Sequence, residues 1–198
     1  MSGFHLQAVT LAGQHVTLEP LTMAHVPELW KVADFPEIWR FMPFRPGSER
    51  DVRVLVEGAV GLAEAGHTLV FAQRSNSDGR VVGSTSYLNP DPPYRRVEIG
   101  ATWLTPALQR TAINTEAKYL LLEHAFEHRG CIRVEFKTDA RNARSRAALE
   151  RIGATEEGTL RHHMIMPDGH LRDSVYFSIL RTEWPEVRAS LEKLMSGS

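Results

Sequence analysis

VEIGATWL (97–104) leads through a turn-rich passage, TPALQRTAIN (105–114), into NTEAKYLLLEHAFEH (114–128), and CIRVEFKTD (131–139) follows almost at once. In the first segment Val97, Ile99, Ala101 and Trp103 alternate with their neighbours, the period of a strand with one buried face. In the second, Ala117, Leu121 and Ala125 recur with Leu122 and Phe126 at helical spacing. In the third, Ile132, Val134 and Phe136 alternate with Arg133, Glu135 and Lys137. Strand, helix and strand within about forty residues make a βαβ unit, whose crossover is right-handed and whose two strands are parallel.

Upstream, HVTLEPL (15–21) reads as a strand and TMAHVPELWKVA (22–33) as a helix capped by Thr22, with Val26, Leu29, Trp30 and Ala33 inward. After the aromatic and proline-rich IWRFMPFRPG (38–47), Ser48 caps a second helix through Val52, Leu55, Val56 and Leu62 to Gly66. HTLVFAQRS (67–75) and RVVGSTSYLN (80–89) flank Asn76, Ser77, Asp78 and Gly79, a strong hairpin signal.

Downstream, Asn142 caps NARSRAALERIG (142–153), which Gly153 ends. ATEEGTLRHHMIM (154–166) then pairs with LRDSVYFSILR (171–181) across Pro167, Asp168 and Gly169. TEWPEVRASLEKLM (182–195) is a short amphipathic helix, and Ser196, Gly197 and Ser198 are expected to fray. The pattern predicts an α/β (α+β) fold in a single domain, residues 1–198. Its sheet is mixed, mostly antiparallel and of about seven strands, flanked by helices, with one central βαβ unit.

Composition narrows the function. The 198 residues are 42% apolar and 24% charged, with a formal net charge of −1, so neither disorder nor an overall cationic surface for nucleic acid is indicated. The single cysteine, Cys131, excludes an internal disulfide framework and points to a reducing compartment. No basic and apolar leader opens the chain and no apolar run approaches the ~18 residues of a membrane span, so a cytoplasmic location is expected. His124 and His128 lie one helical turn apart, and His162, His163 and His170 lie near the last hairpin. The helix lacks the Glu that a zinc-protease pattern needs, so no metal is expected.

A loop feeding a helix N-terminus beside a parallel strand pair is an anion site, because the first helical N–H groups are unpaired and the helix dipole is positive there. Thr111 to Thr115 is where a phosphate is expected. At this place VEIGATWLTPALQRTAINTEAKYLL resembles the acetyl-CoA signature of the GNAT acetyltransferases, in the branch that includes the Rim-type ribosomal-protein N-acetyltransferases. Three further matches follow the same order along residues 16–184: IWRFMP (38–43), DARNARSRAALERIGA (139–154) and MPDGHLRDSVYFSIL (166–180). The family's loop runs Gln or Arg, two residues, Gly, one residue, then Gly or Ala, where this chain reads Gln109, Arg110, Thr111, Ala112, Ile113, Asn114. Ala112 and Asn114 thus occupy the two glycine positions, and Ala112 fits only with a negative φ. Asn114 tolerates left-handed geometry and can cap the helix.

The resemblance implies direct attack of an amine on the acetyl-CoA thioester, with no covalent enzyme intermediate. It assigns the donor to Trp103, Leu104, the loop from Gln109 to Thr115, and Asn142. Glu98 becomes the proton acceptor and Ser145 the acid for the departing thiolate, with Tyr176 a second candidate acid. The acceptor wall is expected from Trp39, Phe41, Phe44 and Tyr87. Cys131, with no adjacent His, reads as a buried small apolar residue. The arginines of RNARSR (141–146) have phosphate groups as partners in place of nucleic acid.

Three readings stay open on residues alone. The acceptor is a protein N-terminal α-amine, or a small amine such as a polyamine or an aminoglycoside, or the chain is a non-catalytic acyl-CoA-binding module. An α-amine of pKa about 8 is partly neutral at pH 7, whereas a lysine amine costs ~4 kcal/mol to deprotonate, so a carboxylate base of ordinary strength suits the former. The oligomeric state is open too, a homodimer included.

Overall fold

The computed structural model describes residues 6–196. One eight-stranded sheet organises them: β1 (Leu11–Ala12), β2 (Val16–Pro20), β3 (Thr68–Ser75), β4 (Val81–Asp91), β5 (Arg96–Leu104), β6 (Arg133–Asp139), β7 (Thr155–Ile165) and β8 (Leu171–Leu180). Their order is β1-β2-β3-β4-β5-β6-β8-β7. Every neighbouring pair is antiparallel except β5 and β6, the two strands of the βαβ unit. The strand beyond the expected seven is β1, two residues paired with β2 where Gly13 turns the chain back, its N–H donating to Val16 O at 2.9 Å. Two residues are too few for alternation to mark.

Five helices flank the sheet: α1 (Val26–Ala33), α2 (Glu49–Glu64), α3 (Ala112–Glu123), α4 (Ala143–Arg151) and α5 (Trp184–Ser196). A π-helical turn, His124–His128, prolongs α3. Ser196 belongs to α5, and the fraying expected at Gly197 and Ser198 lies outside the described residues. Thr22 starts a 3₁₀ turn and α1 proper begins at Val26, because Pro27 has no N–H and is tolerated only in a first turn. Ser48 caps α2 by accepting from Asp51 N at 3.2 Å. Of the apolar residues along α2, Leu55 and Leu62 are exposed and the inner stripe is Val52 and Val56.

The sheet buries a core on each side. The larger cluster joins Val97, Ile99, Val134, Phe136 and Phe177 to Ile113, Ala117 and Leu121 of α3. The smaller one sets Val26, Leu29, Val52 and Val56 against Ala72 and Val81.

β5 changes face part-way. Ala101 adopts φ +46° and the register with β4 slips between Ser84 and Ser86, so Ala101 forms a β-bulge. The strict alternation expected through Trp103 therefore fails. Leu104 joins the larger core with Val97 and Ile99, while Trp103 joins the opposite side, against Trp39 with ring centroids 5.0 Å apart. The bulge needs room across the ladder, and Gly83 supplies it: a Cβ there would lie 2.1 Å from Trp103 O.

Candidate active site

The parallel pairing of β5 with β6 covers only Arg96–Arg133, Val97–Val134 and Glu98–Glu135, although both strands run on. Beyond Glu98 they splay, and a cleft of about 840 Å³ occupies the gap. Its walls come from both faces of the sheet. Ile99, Phe136, Lys118 and Leu149 belong to the α3 side, while Glu98, Lys137, Asp139, Arg172 and Phe41 line it on the other.

The α3 end of the cleft suits an anionic ligand. Thr111 is the N-cap, its hydroxyl accepting from Ile113 N at 3.4 Å and donating to Leu108 O at 2.8 Å. The left-handed residue of the loop is Arg110, φ +66°, and α3 begins at Ala112. The two glycine positions of the loop pattern, Ala112 and Asn114, are thus the first and third helical residues and carry no backbone strain. The cap is Thr111 and not Asn114. Gln109 is held from both sides, its Nε2 donating to Leu104 O at 3.1 Å and its Oε1 accepting from Arg144 Nη1.

Arg110, Arg144 and Arg151 line this end, and Arg151 Nη2 donates to Thr115 Oγ1 at 3.2 Å. Of the RNARSR arginines only Arg144 faces the cleft; Arg141 pairs with Asp139 at 2.8 Å and Arg146 with Glu156 at 3.0 Å. Arg151, from the last turn of α4, was not expected. Lys118 is a second addition: it is 6% exposed, lies on the cleft floor, and its Nζ donates to Thr102 Oγ1 at 2.8 Å. Its signal in the sequence is a cation one turn beyond Asn114, on a helix whose later turns bury Leu121 and Leu122.

Asn142 caps α4 through Oδ1, which accepts from Ser145 N at 3.1 Å. The amide Nδ2 of Asn142 is left for the cleft, which both residues line. Trp103, Leu104, Gln109, Arg110, Thr111, Ala112, Asn114 and Thr115 also line it; Ile113 points into the core instead.

At the other end Glu98 is 3% exposed. Its Oε2 accepts from Asn89 Nδ2 at 2.9 Å and lies 3.4 Å from Lys137 Nζ. A buried carboxylate is tolerable with such hydrogen-bond partners. Phe41 and Phe44 line the cleft, with Met42 and Pro43 between them. Trp39 stands behind them, its ring 5.4 Å from that of Phe44 and its indole N–H donating to Ala33 O at 2.8 Å.

Tyr87 differs from expectation. It is fully buried in the core, its hydroxyl donating to Leu121 O and lying 3.1 Å from His124 Nδ1. Arg129 Nε donates to His124 Nε2 at 3.1 Å, which fixes the other ring nitrogen as the proton carrier toward Tyr87. Burial pushes the His124 pKa down to about 4, so this histidine is a neutral structural link. Among the described residues no group of three His, Cys, Asp or Glu is placed to hold a metal ion. Tyr176 lies beside the cleft without lining it, under Lys137 at 5.9 Å. Cys131 is buried and its thiol is pushed up to about 12 by burial, unsuited to nucleophilic work. Among the described residues no helix is long and apolar enough to cross a membrane.

Sequence comparison returns the GNAT acetyltransferase domain over residues 15–155. YdaF of Bacillus subtilis (strain 168), provisionally named a ribosomal N-acetyltransferase, is 37% identical over 107 residues; the match spans 54% of this chain and only 57% of that relative. A solved structure from T. thermophilus, provisionally assigned as an acetyltransferase, is 40% identical, with a TM-score of 0.86 over 96% of this chain and all of that one. Mycobacterium smegmatis RimJ, solved in complex with CoA-disulfide, superposes with a TM-score of 0.79 at 25% identity, covering 94% of this chain and 92% of that one. A splayed parallel pair with a capped helix start at its open end, a family domain across most of the sheet and full-length structural agreement converge, and the chain belongs to the GNAT acetyltransferase family.

Proposed function

We propose that the chain transfers the acetyl group of acetyl-CoA to a primary amine, with a protein N-terminal α-amine as the acceptor. One observation carries the reading: a single cleft joins the cationic start of α3 to the buried carboxylate of Glu98. The residues present fit the donor. The first N–H groups of α3, with Arg110, Arg144 and Arg151 beside them, suit a diphosphate. Ile99, Leu104, Phe136 and Leu149 suit an apolar arm, and Asn142 Nδ2 suits an amide carbonyl along it.

Bound there, acetyl-CoA supplies a thioester carbonyl as electrophile. Glu98 accepts the proton of the attacking amine, directly or through one water, as the C–N bond forms. As the C–S bond breaks, Ser145 gives its hydroxyl proton to the sulfur and is reprotonated from solvent. An α-amine is partly neutral at pH 7, which matches a carboxylate base better than a lysine side chain does. The provisional name of YdaF, a ribosomal N-acetyltransferase, favours a protein acceptor over a polyamine or an aminoglycoside.

The test is thiol release from acetyl-CoA on adding N-terminal peptides and, separately, small polyamines. Peptide-dependent release that falls on the order of 100-fold in Glu98→Gln is expected. Calorimetric binding of CoA with no thiol release from any amine sinks the enzyme reading and leaves the binding-module one. An unchanged rate in Glu98→Gln removes Glu98 from the mechanism.

A further inference from the structure

At the Glu98 end of the cleft one buried cation is left without an ion pair among the described residues. Lys137 lies against Glu98 at 3.4 Å, and Arg141 takes both oxygens of Asp139, Nε to Oδ1 at 3.0 Å and Nη2 to Oδ2 at 2.8 Å. Arg172, on β8, has no ion pair among the described residues. It is 5% exposed and lines the cleft, yet its side chain donates only from Nη1, to the Phe41 carbonyl at 3.3 Å, among the described residues. Its Nε is buried without a partner. Of five guanidinium N–H groups, most are left with no protein acceptor. A buried guanidinium without a carboxylate is costly unless something else pairs with it.

The surroundings say what that is. The Phe41 carbonyl fixes one edge of the guanidinium, and Phe41 itself belongs to the loop between α1 and α2 that walls the acceptor end. Nearby, His163 accepts or donates at Ser174 Oγ, 3.0 Å away, and the positive charges of Lys137 and Arg172 help hold its pKa below the ordinary value, burial being the larger cause. Glu98 and Asp139 are held by Lys137 and Arg141, and Glu37, exposed at the rim of the cleft, makes no ion pair with Arg172, so the buried guanidinium is left without a carboxylate partner among the described residues. Arginine pairs with carboxylates in a planar, two-pronged geometry that no neutral group matches.

We propose that Arg172 receives a carboxylate of the acceptor, so that the acceptor class is a primary amine with an acidic group close to it. This rests on the acetyl-transfer reading of the cleft. Two sources share that chemistry: an acidic side chain just behind a protein N-terminus, and the α-carboxylate of a free amino acid. The pairing anchors the acceptor at one point and leaves its amine to approach Glu98.

The experiment compares peptides beginning Ser-Asp and Ser-Asn, and free serine against serine amide, with wild type, Arg172→Lys and Arg172→Met. Wild type is expected to favour the acidic peptide about tenfold in kcat/KM. Arg172→Met abolishes that preference by raising KM for the acidic peptide, and Arg172→Lys keeps part of it. A preference confined to serine over serine amide assigns the carboxylate to a free amino acid. Equal use of acidic and neutral acceptors by wild type, or a preference that survives Arg172→Met, overturns the proposal. Calorimetric binding of C-terminally amidated Ser-Asp and Ser-Asn dipeptides to the CoA-loaded proteins, with melting curves to check the fold, reads the same pairing without turnover. If no amine releases thiol but wild type binds Ser-Asp selectively and Arg172→Met does not, the pocket assignment stands and the transfer reading alone fails.

Discussion

The carboxylate of Glu98 lies against the open face of Gly100: a Cβ at Gly100 would sit 3.0 Å from Glu98 Oε1 and 2.9 Å from Leu88 Cδ1. Gly100 precedes the Ala101 bulge, so the backbone at the mouth of the splay and the position of the proposed base are set together.

Gly100→Ala therefore pushes Glu98 away from Asn89 and Lys137 or displaces Leu88. A shift of some tenths of an ångström in a proton acceptor lowers kcat/KM, here by about tenfold, with less effect on the KM for acetyl-CoA. Steady-state kinetics on the Gly100→Ala protein check this. Wild-type kcat with a raised donor KM is the opposite pattern and would place the disturbance on the donor side.

The same residues show how far the sequence reaches. The βαβ unit was legible because strand and helix periods are local, and Thr111 to Thr115 followed from it. The bulge at Ala101 was not, since a left-handed alanine is dictated by pairing with β4, where Gly83 makes the room. Lys137 and Arg172 were missed for a related reason. Each is an ordinary surface-type residue in its own strand, and only the pairing of β6 between β5 and β8 sets them beside Glu98. Tyr87 went the other way: an aromatic on a strand fits a pocket or a core equally well, and what decided it was the distant carbonyl of Leu121.

Lys118 gives a pH test. Burial pulls its amine from the ordinary 10.5 down to about 7. Between about pH 7 and pH 10 the unfolded chain holds a proton there that the folded chain lacks, so this group makes stability rise with pH across that window. Below about 7 both states are protonated, and the full cost of burying the ammonium is present. Lys118→Met removes the contribution. The variant is expected to melt several degrees above wild type at pH 6.5, with the gap closing toward pH 10. Parallel melting curves over this range check it, and a gap that does not change with pH rejects a titrating Lys118.

Glu116 ties the edge of the sheet to the helix that opens the proposed donor site. Its two oxygens accept the backbone N–H groups of Gln14 at 2.7 Å, His15 at 2.6 Å and Val16 at 2.8 Å, while the residue is 6% exposed. Gly13 lets the loop close over it, for a Cβ there would lie 2.4 Å from Glu116 Cδ. A carboxylate accepts at every lone pair, whereas a carboxamide turns one edge into a donor. Glu116→Gln keeps the volume but sets an N–H₂ against backbone N–H groups, leaving at least one buried donor unmatched. Charge-assisted bonds of this kind contribute about 1.5–3 kcal/mol each, so a loss of about 3 kcal/mol in unfolding free energy is expected. Urea titration measures it. Because Thr115 and Lys118 stand on the same turn of α3, hydrogen exchange in the variant should quicken at residues 11–20 and in the first turns of α3 together. Quickening confined to the β1–β2 loop would show that the helix start holds its place without this tie.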